Sequence, residues 1–237
     1  SLKKGGIDLD MAKCIDLVRG NYCWLFSGDD LMHSNSVERV LNYLSSWKPD
    51  LLLLRHNECD VNMDVICEWS VLSIETDNLF DLSEIQSRKN FLEAAITSEA
   101  FFSFMGGLIV KRSKWLKGKF DNEFAGSNWE HIFRIWSLTN KKFKLGYVHK
   151  PILDRRGGND SFSSDGSLSR LSIQIDGLLN TLLRIYNKDS IEIATLKRVL
   201  NYEINGGWLT AVEQDLIKDE APKSSFDKLK NMVYRIS

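Results

Sequence analysis

Residues 22–30 read YCWLFSGDD, five apolar residues followed by a polar turn that ends in two aspartates. An apolar run of this length is typical of a strand buried on both faces, so we predict a buried parallel strand. Apolar residues recur with helical spacing over 7–18 and 36–47, and another apolar run occupies 51–54. The order helix, strand, helix, strand predicts an α/β sheet with crossover helices.

The rest of the chain extends this pattern and then becomes wholly helical. Further strands are predicted at 61–65, 67–74, 106–110 and 144–148, and helices at 87–98 and 128–139. A stretch rich in Gly, Ser, Asn and Asp at 155–166 reads as a loop or hinge. Helical patterns then cover 168–187, 190–204, 206–218 and 224–235. We therefore predict an α/β domain over 1–163 and a helical C-terminal extension over 164–237.

The composition is that of a soluble globular protein. Of the 237 residues, 43% are hydrophobic and 27% charged, which argues against extensive disorder. The formal net charge of −1 provides no field that would draw the chain to nucleic acid, which we exclude as a partner. The four cysteines form no CxxC pair, which favours free thiols and a cytoplasmic location.

The first candidate for chemistry is the pair Asp29 and Asp30. In open α/β sheets, ligands bind beyond the carboxyl ends of strands. Two adjacent carboxylates there are costly unless something positive pairs with them, and Mg²⁺ or Mn²⁺ is the natural partner because these ions prefer oxygen ligands. The alternative is a strand-to-helix turn in which an aspartate serves as a cap.

Two other groups of residues could carry chemistry. Glu130 and His131 stand together at a predicted helix start and could supply a general base; the alternative is an Asn128 cap with Glu130 as a surface acid. Arg155 and Arg156 precede two glycines and could hold a diphosphate, or they belong to a solvated turn. His33, His56 and His149 are scattered and suggest no zinc site.

The order of these segments resembles the family 2 glycosyltransferases of the GT-A fold. Residues 19–30, RGNYCWLFSGDD, match that family's segment ending in an aspartate pair, and GGLIVKR at 106–112 resembles its strand before the acceptor-side loop. KFDNEF at 119–124 and residues 147–161 resemble its later motifs. Within the family, the sequence is most similar to the O-antigen and capsule group that includes abequosyltransferases, over residues 3 to about 163.

The resemblance implies a GT-A, Rossmann-like sheet that is mixed and mainly parallel. It also implies transfer of a sugar from a nucleoside-diphosphate sugar to a hydroxyl of a glycan or lipid-linked oligosaccharide, with inversion, in bacterial cell-surface polysaccharide synthesis. Asp30, helped by Asp29, would hold Mg²⁺ or Mn²⁺ against the diphosphate, and Arg155 and Arg156 would close over it. Glu130 or His131 would be the base. Gly106, Gly107, Asn128 and Trp129 would lie on the acceptor side.

The sequence departs from the family pattern in two places. The family's first strand and the unit that grips the nucleotide base are absent, so we expect that an N-terminal piece is missing and that the chain is inactive without it. The family's Glu-Asp pair is replaced, by its spacing to Arg134, by Ser127-Asn128. The role of base therefore falls to Glu130 or His131.

Two other classes of function remain open, and the tail has several interpretations. A sugar nucleotidyltransferase also places carboxylates and a metal at strand ends, and a non-catalytic carbohydrate-binding or assembly module would suit the seven tryptophans.

The amphipathic helices after residue 168 fit packing against the catalytic domain, which we favour. They also fit contact with a partner subunit, such as a second copy of the chain, or peripheral contact with the inner face of the cytoplasmic membrane.

Overall fold

The computed structural model describes residues 6–159 and 165–237. The chain divides into two compact units, residues 1–159 and 160–237. The first unit contains a sheet with helices, and the described part of the second is helical. The domain boundary predicted at 163 lies outside the described residues.

The first unit alternates strands and helices along the chain. Its strands are β1 (Tyr22–Trp24), β2 (Leu31–Met32), β3 (Leu51–Cys59), β4 (Val65–Glu68), β5 (Asn78–Asp81), β6 (Leu108–Lys111) and β7 (Lys144–Arg156). Its helices are α1 (Ile7–Leu17), α2 (Ser36–Trp47), α3 (Ile85–Ala94), α4 (Arg112–Trp115) and α5 (Glu130–Trp136), with 3₁₀ turns at Ser98–Phe101 and Met105–Gly107. The mixture confirms the α/β class. The strand predicted over 67–74 is wrong beyond Glu68, where β4 ends.

The strands form one sheet in the order β1-β6-β3-β7-β2, with β4 added to β3 and β5 added to β7. β3 and β7 are parallel, whereas the other described pairings are antiparallel. The prediction of a parallel strand at residues 22–26 is therefore wrong in direction, because β1 pairs antiparallel with β6. An apolar run indicates that a strand is buried, but a buried strand can pair with its neighbours in either a parallel or an antiparallel direction.

The core lies around β3, whose residues Leu51–Leu54 are at most 2% exposed. Val40 of α2 packs against a cluster of buried apolar residues from β3, β6 and β7. Only part of the apolar face of α2 is buried, since Val37 and Leu41 are 57% and 59% exposed. The helix is rotated so that Ser36 and Val40 face inward, where the Ser36 hydroxyl donates to the Ile152 carbonyl.

β7 extends further than the sequence predicts. A loop was expected from Arg155, but both Arg155 and Arg156 belong to the strand. Parallel pairing with β3 continues to this point, with Glu58 opposite Arg155 and Cys59 opposite Arg156. Because the ladder satisfies the backbone groups of these residues, the strand persists into polar sequence.

The second unit confirms the helical tail. Its helices are α6 (Ser167–Ser172), α7 (Leu178–Leu183), α8 (Ile191–Glu203), α9 (Gly206–Lys218) and α10 (Lys223–Ile236), and a π-helical turn, Ile173–Gly177, joins α6 to α7. Side chains of Ser190 and Asn205 cap α8 and α9 by accepting backbone N–H groups. Within the described residues, no helix is both long and apolar enough to cross a bilayer.

Candidate functional site

Polar side chains gather at one end of the sheet, where β2, β7 and β3 lie side by side. Asp30 directly precedes β2, whose Leu31 is opposite Asp154 of β7. On the other side of β7, Glu58 of β3 is opposite Arg155. The register of three strands therefore brings together residues that are about 125 positions apart in the chain.

Direct contacts join the aspartate pair to the arginine pair. The backbone N–H of Arg156 donates to Asp30 Oδ1 over 3.0 Å, and its side-chain Nε donates to the Asp29 carbonyl over 3.1 Å. Ser27 Oγ and Asn159 Nδ2 also donate to the Asp29 carboxylate. We name the group Asp29, Asp30, Arg155 and Arg156 the acid–arginine site.

The two aspartates differ in their electrostatics. The hydrogen bond from Ser27 is the main cause that lowers the pKa of Asp29, which is exposed. Asp30 is 8% exposed, and burial raises its pKa, an effect that the negative charge of Asp29 reinforces. A buried carboxylate beside a second one gains from any cation that approaches.

The carboxylate oxygens of Asp29 and Asp30 are of the type that a magnesium-like ion prefers. No cluster of three or more His, Cys, Asp or Glu side chains suited to a metal occurs within residues 6–159 and 165–237. Mg²⁺ is commonly held by one or two carboxylates together with substrate phosphates and water. Asp30, with Asp29 beside it, provides such a partial site, and the adjacent arginines provide positive charge for phosphate oxygens.

The second predicted group, Glu130 and His131, begins α5 and is buried, with exposed fractions of 1% and 2%. The loop before it is held by Asp8 of α1, which is itself 2% exposed. Asp8 Oδ2 accepts the backbone N–H groups of Gly126 (2.8 Å) and Asn128 (3.0 Å), and Oδ1 accepts that of Glu130 (3.2 Å). Asp8 also lies in the first turn of α1, where the helix dipole alone would favour an acidic residue.

Glu130 and His131 have opposite pKa shifts with a common cause. Burial raises the pKa of Glu130 to about 7, although its ion pair with Arg134, at 3.3 Å, opposes the shift. Burial lowers the pKa of His131 to about 4. His131 Nε2 lies 3.0 Å from the Phe102 carbonyl, which can only accept, so Nε2 carries the proton and Nδ1 the lone pair.

The predicted acceptor-side residues occupy tight turns. Gly106 and Gly107 form the buried 3₁₀ turn before β6, where the Gly106 carbonyl accepts a 2.7 Å hydrogen bond from Trp24 Nε1. A Cβ on Gly106 would lie 2.6 Å from the Phe104 ring. Asn128 has a left-handed φ of 72°, and the Trp129 N–H donates to Ser127 Oγ over 3.0 Å. The structure thus joins eight of the predicted residues into two groups, the acid–arginine site and residues 126–131, which we name the Asp8-held loop. Gly106 and Gly107 lie in neither group.

Sequence reasoning missed a buried ionic cluster beside the acid–arginine site. It consists of His56 and Glu58 of β3 and Glu99 of the 3₁₀ turn, which surround Arg155. The spacing of His56 and Glu58 places both residues on one face of a strand, but nothing in the sequence indicates that Glu99 joins them.

Comparisons with known proteins give one related sequence and a related fold. No family model matches the chain. It is 28% identical over 186 residues to the abequosyltransferase RfbV of Salmonella typhimurium strain LT2, a match that covers 78% of this chain and 56% of that protein. The chain therefore spans about half the length of this relative.

Two solved structures of S. aureus TarS residues 1–349 share the fold. The complex with UDP-GlcNAc superposes with a TM-score of 0.56 at 10% identity, covering 99% of this chain and 62% of TarS. The complex with UDP gives 0.56 at 12% identity, with 97% and 61% covered. The superposition confirms the GT-A fold. This chain is thus similar in sequence to an abequosyltransferase and in fold to the glycosyltransferase TarS, as its motif order predicts.

Proposed function

We propose that this chain is the metal- and acceptor-binding part of a sugar-nucleotide-dependent glycosyltransferase. It serves bacterial cell-surface polysaccharide synthesis of the O-antigen or capsule type, and its acceptor is a glycan or lipid-linked oligosaccharide. The observation that carries the proposal is the contact of Arg156 with both Asp29 and Asp30 at the end of β7. The name of the related abequosyltransferase and the nucleotides bound by TarS support the same substrate class.

The acid–arginine site is assigned to the donor diphosphate. Asp30, with Asp29, would hold Mg²⁺ or Mn²⁺, which neutralises charge on the leaving diphosphate. Arg155 and Arg156 contribute N–H donors and positive charge to the same oxygens. The alternation of carboxylates and guanidinium groups allows one site to bind both a cation and an anion.

The Asp8-held loop is assigned to the acceptor. The acceptor oxygen attacks the anomeric carbon, the bond from that carbon to the diphosphate breaks, and its electron pair leaves with the diphosphate. Configuration at the anomeric carbon is inverted. Glu130 accepts the hydroxyl proton, since a carboxyl group with a pKa of about 7 is deprotonated in half of the molecules near neutral pH. His131 is the alternative base.

Donor binding by calorimetry tests the proposal. UDP-, GDP-, CDP- and dTDP-sugars are titrated, with Mg²⁺ or with EDTA, into a version of the protein that includes the expected N-terminal nucleotide-binding unit, and hydrolysis or transfer is followed for any that bind. We expect one donor to bind with metal dependence, and Asp30→Ala to abolish the metal dependence. The exposed Asp16, changed to Ala, is the matched control. Undiminished metal-dependent turnover by Asp30→Ala would overturn the metal assignment.

A further inference from the structure

The cluster around Arg155 consists of a cation held between two glutamates. Arg155 Nη1 lies 3.3 Å from Glu58 Oε2 and 3.7 Å from Glu99 Oε1. The guanidinium carbon is 5.1 Å from the centre of the Phe104 ring. An arginine with contacts on three sides has little rotamer freedom left, so its position is set by residues that lie on other elements.

His56 lies behind the two glutamates and is fully buried. Its Nδ1 is 3.4 Å from Glu99 Oε2 and its Nε2 is 3.6 Å from Glu58 Oε2. Its ring packs against Phe104 at 4.8 Å and Trp69 at 6.4 Å between centroids. Within the described residues neither ring nitrogen completes a hydrogen bond. The imidazole therefore acts as a spacer that keeps the carboxylates at a fixed separation.

The cluster reaches the acid–arginine site through Arg155. Asp30 directly precedes Leu31 of β2, which is opposite Asp154 of β7, so the antiparallel register places Arg155 beside Asp30, the carboxylate assigned to the metal. The Arg155 side chain is 37% exposed, whereas that of Glu99 is 7% exposed. Both ion pairs are made through Nη1, and a guanidinium has five N–H donors. Among residues 6–159 and 165–237, Nε and Nη2 of Arg155 have no ion-pair partner, so these donors are left for a second anion.

A buried carboxylate such as Glu99 is costly, and a hydrophobic residue in its place often stabilises a fold equally well. Burial raises the pKa of Glu99, which measures this cost. An ion pair that only stabilised the fold would not require the exposed end of Arg155 to lie beside Asp30.

We propose that Glu58 and Glu99, spaced by His56, are positioning residues that hold Arg155 beside Asp30, where its remaining donors meet the diphosphate of the sugar nucleotide. The inference rests on the proposed function, because it takes a nucleoside diphosphate as the ligand. It assigns roles to three residues that do not touch the donor themselves.

A double-mutant cycle with Glu99→Gln and Arg155→Ala tests this inference. The affinity for UDP and the KM for the donor are measured with Mg²⁺ for the wild type, both single variants and the double variant. We expect Glu99→Gln to weaken donor affinity roughly tenfold, about the effect of one lost hydrogen bond to a charged group, with kcat within about twofold. In the Arg155→Ala background, Glu99→Gln should have no further effect.

Three controls make the outcomes decisive. Glu58→Gln repeats the cycle at a more exposed residue, in case Glu99→Gln does not fold, and Glu99→Asp should restore part of the affinity. Glu93→Gln removes a carboxylate from the surface ion pair with Lys89 and should change nothing. Additive effects, or a lowered melting temperature with unchanged donor affinity, would overturn the inference. A wild-type protein that binds no nucleoside diphosphate at all would instead overturn the proposed function.

Discussion

The acid–arginine site and the Asp8-held loop each contain a carboxylate, Asp29 and Glu130, and these two residues lie in opposite surroundings. In the first, Asp29 is exposed and accepts three hydrogen bonds through its side chain and carbonyl. In the second, Glu130 and His131 are almost completely buried. Asp29 is open to solvent, whereas Glu130 and His131 are shielded from it.

The difference shows how surroundings decide the chemistry of a carboxylate. Hydrogen bonds from Ser27 and Asn159 lower the pKa of Asp29 and keep it ionised, which suits a metal ligand. Burial raises the pKa of Glu130 to about 7, which suits a group that gains and loses a proton. Each of the following experiments changes one side of this comparison.

The largest effect is expected from Glu130→Gln. Loss of a general base lowers kcat by about 100- to 10,000-fold, and the amide keeps the shape of the side chain. In the wild type, kcat/KM should fall as the pH drops below about 7, because Glu130 becomes protonated, and the variant should lose this dependence.

His131→Ala is the companion to Glu130→Gln in the same pH–rate measurements. If Glu130 is the base, the His131 variant keeps the wild-type pH profile. If instead His131→Ala shows the large loss of rate and Glu130→Gln does not, His131 is the base. If both variants retain the full rate, neither residue is the base.

Asp8→Asn should loosen the loop while leaving the side chains of Glu130 and His131 unsubstituted. Three backbone N–H groups point at the Asp8 carboxylate, and an amide nitrogen facing one of them removes an acceptor and adds repulsion. The free energy of unfolding should fall by about 2 kcal/mol. Urea unfolding measures the loss.

The exposed Asp10 on the same helix provides the matched control for Asp8. Asp10→Asn removes the same charge but should change stability by less than about 0.5 kcal/mol. Equal effects at the two positions would show that helix charge, and not the loop, explains the loss.

Gly157→Ala tests how tightly the strand end that carries the acid–arginine site is packed, again by its effect on the free energy of unfolding. A Cβ at Gly157 would lie 2.5 Å from the Cys59 carbonyl oxygen, so β7 would have to move away from β3. Overpacking of this kind costs about 1–3 kcal/mol of stability. A Cβ at Gly28 meets nothing within 4 Å, and Gly28→Ala is therefore the control; a Gly157 variant as stable as this control would show that the end of the sheet is loose.

Sequence could predict features that depend on neighbours in the chain. The helices of the tail follow from apolar periodicity, and the turn with Asp29 and Asp30 follows from a strand and its polar end. The resemblance to glycosyltransferases depends on the order of several motifs along the chain. This order is specific even though each motif alone is weak.

Features that depend on distant pairing could not be predicted. The burial of Asp8 depends on three N–H groups about 120 residues away. From helix periodicity alone, an aspartate is expected on the outward face. The extension of β7 to Arg156 depends on its register with β3. Glu99 meets His56 only because a 3₁₀ turn passes beside the sheet.

The smallest effect expected for a single step of one pH unit is a pair of opposite pH dependences of stability. The pKa of Glu130 is about 7 in the folded protein and about 4.5 ordinarily, so between these values the folded state binds more protons and stability falls as the pH rises. The pKa of His131 is about 4 against 6.5, so the unfolded state binds more protons and stability rises with pH. Each contributes up to about 1.4 kcal/mol per pH unit.

The two contributions cancel in the wild type between about pH 4.5 and 6.5, where their windows overlap. Relative to the wild type, Glu130→Gln should therefore become more stable as the pH rises through this range, and His131→Asn less stable. Urea unfolding at half-unit pH intervals gives both slopes. Slopes of the same sign would show that Glu130 and His131 do not share a buried environment, and the contrast with the acid–arginine site would then rest on Asp29 and Asp30 alone.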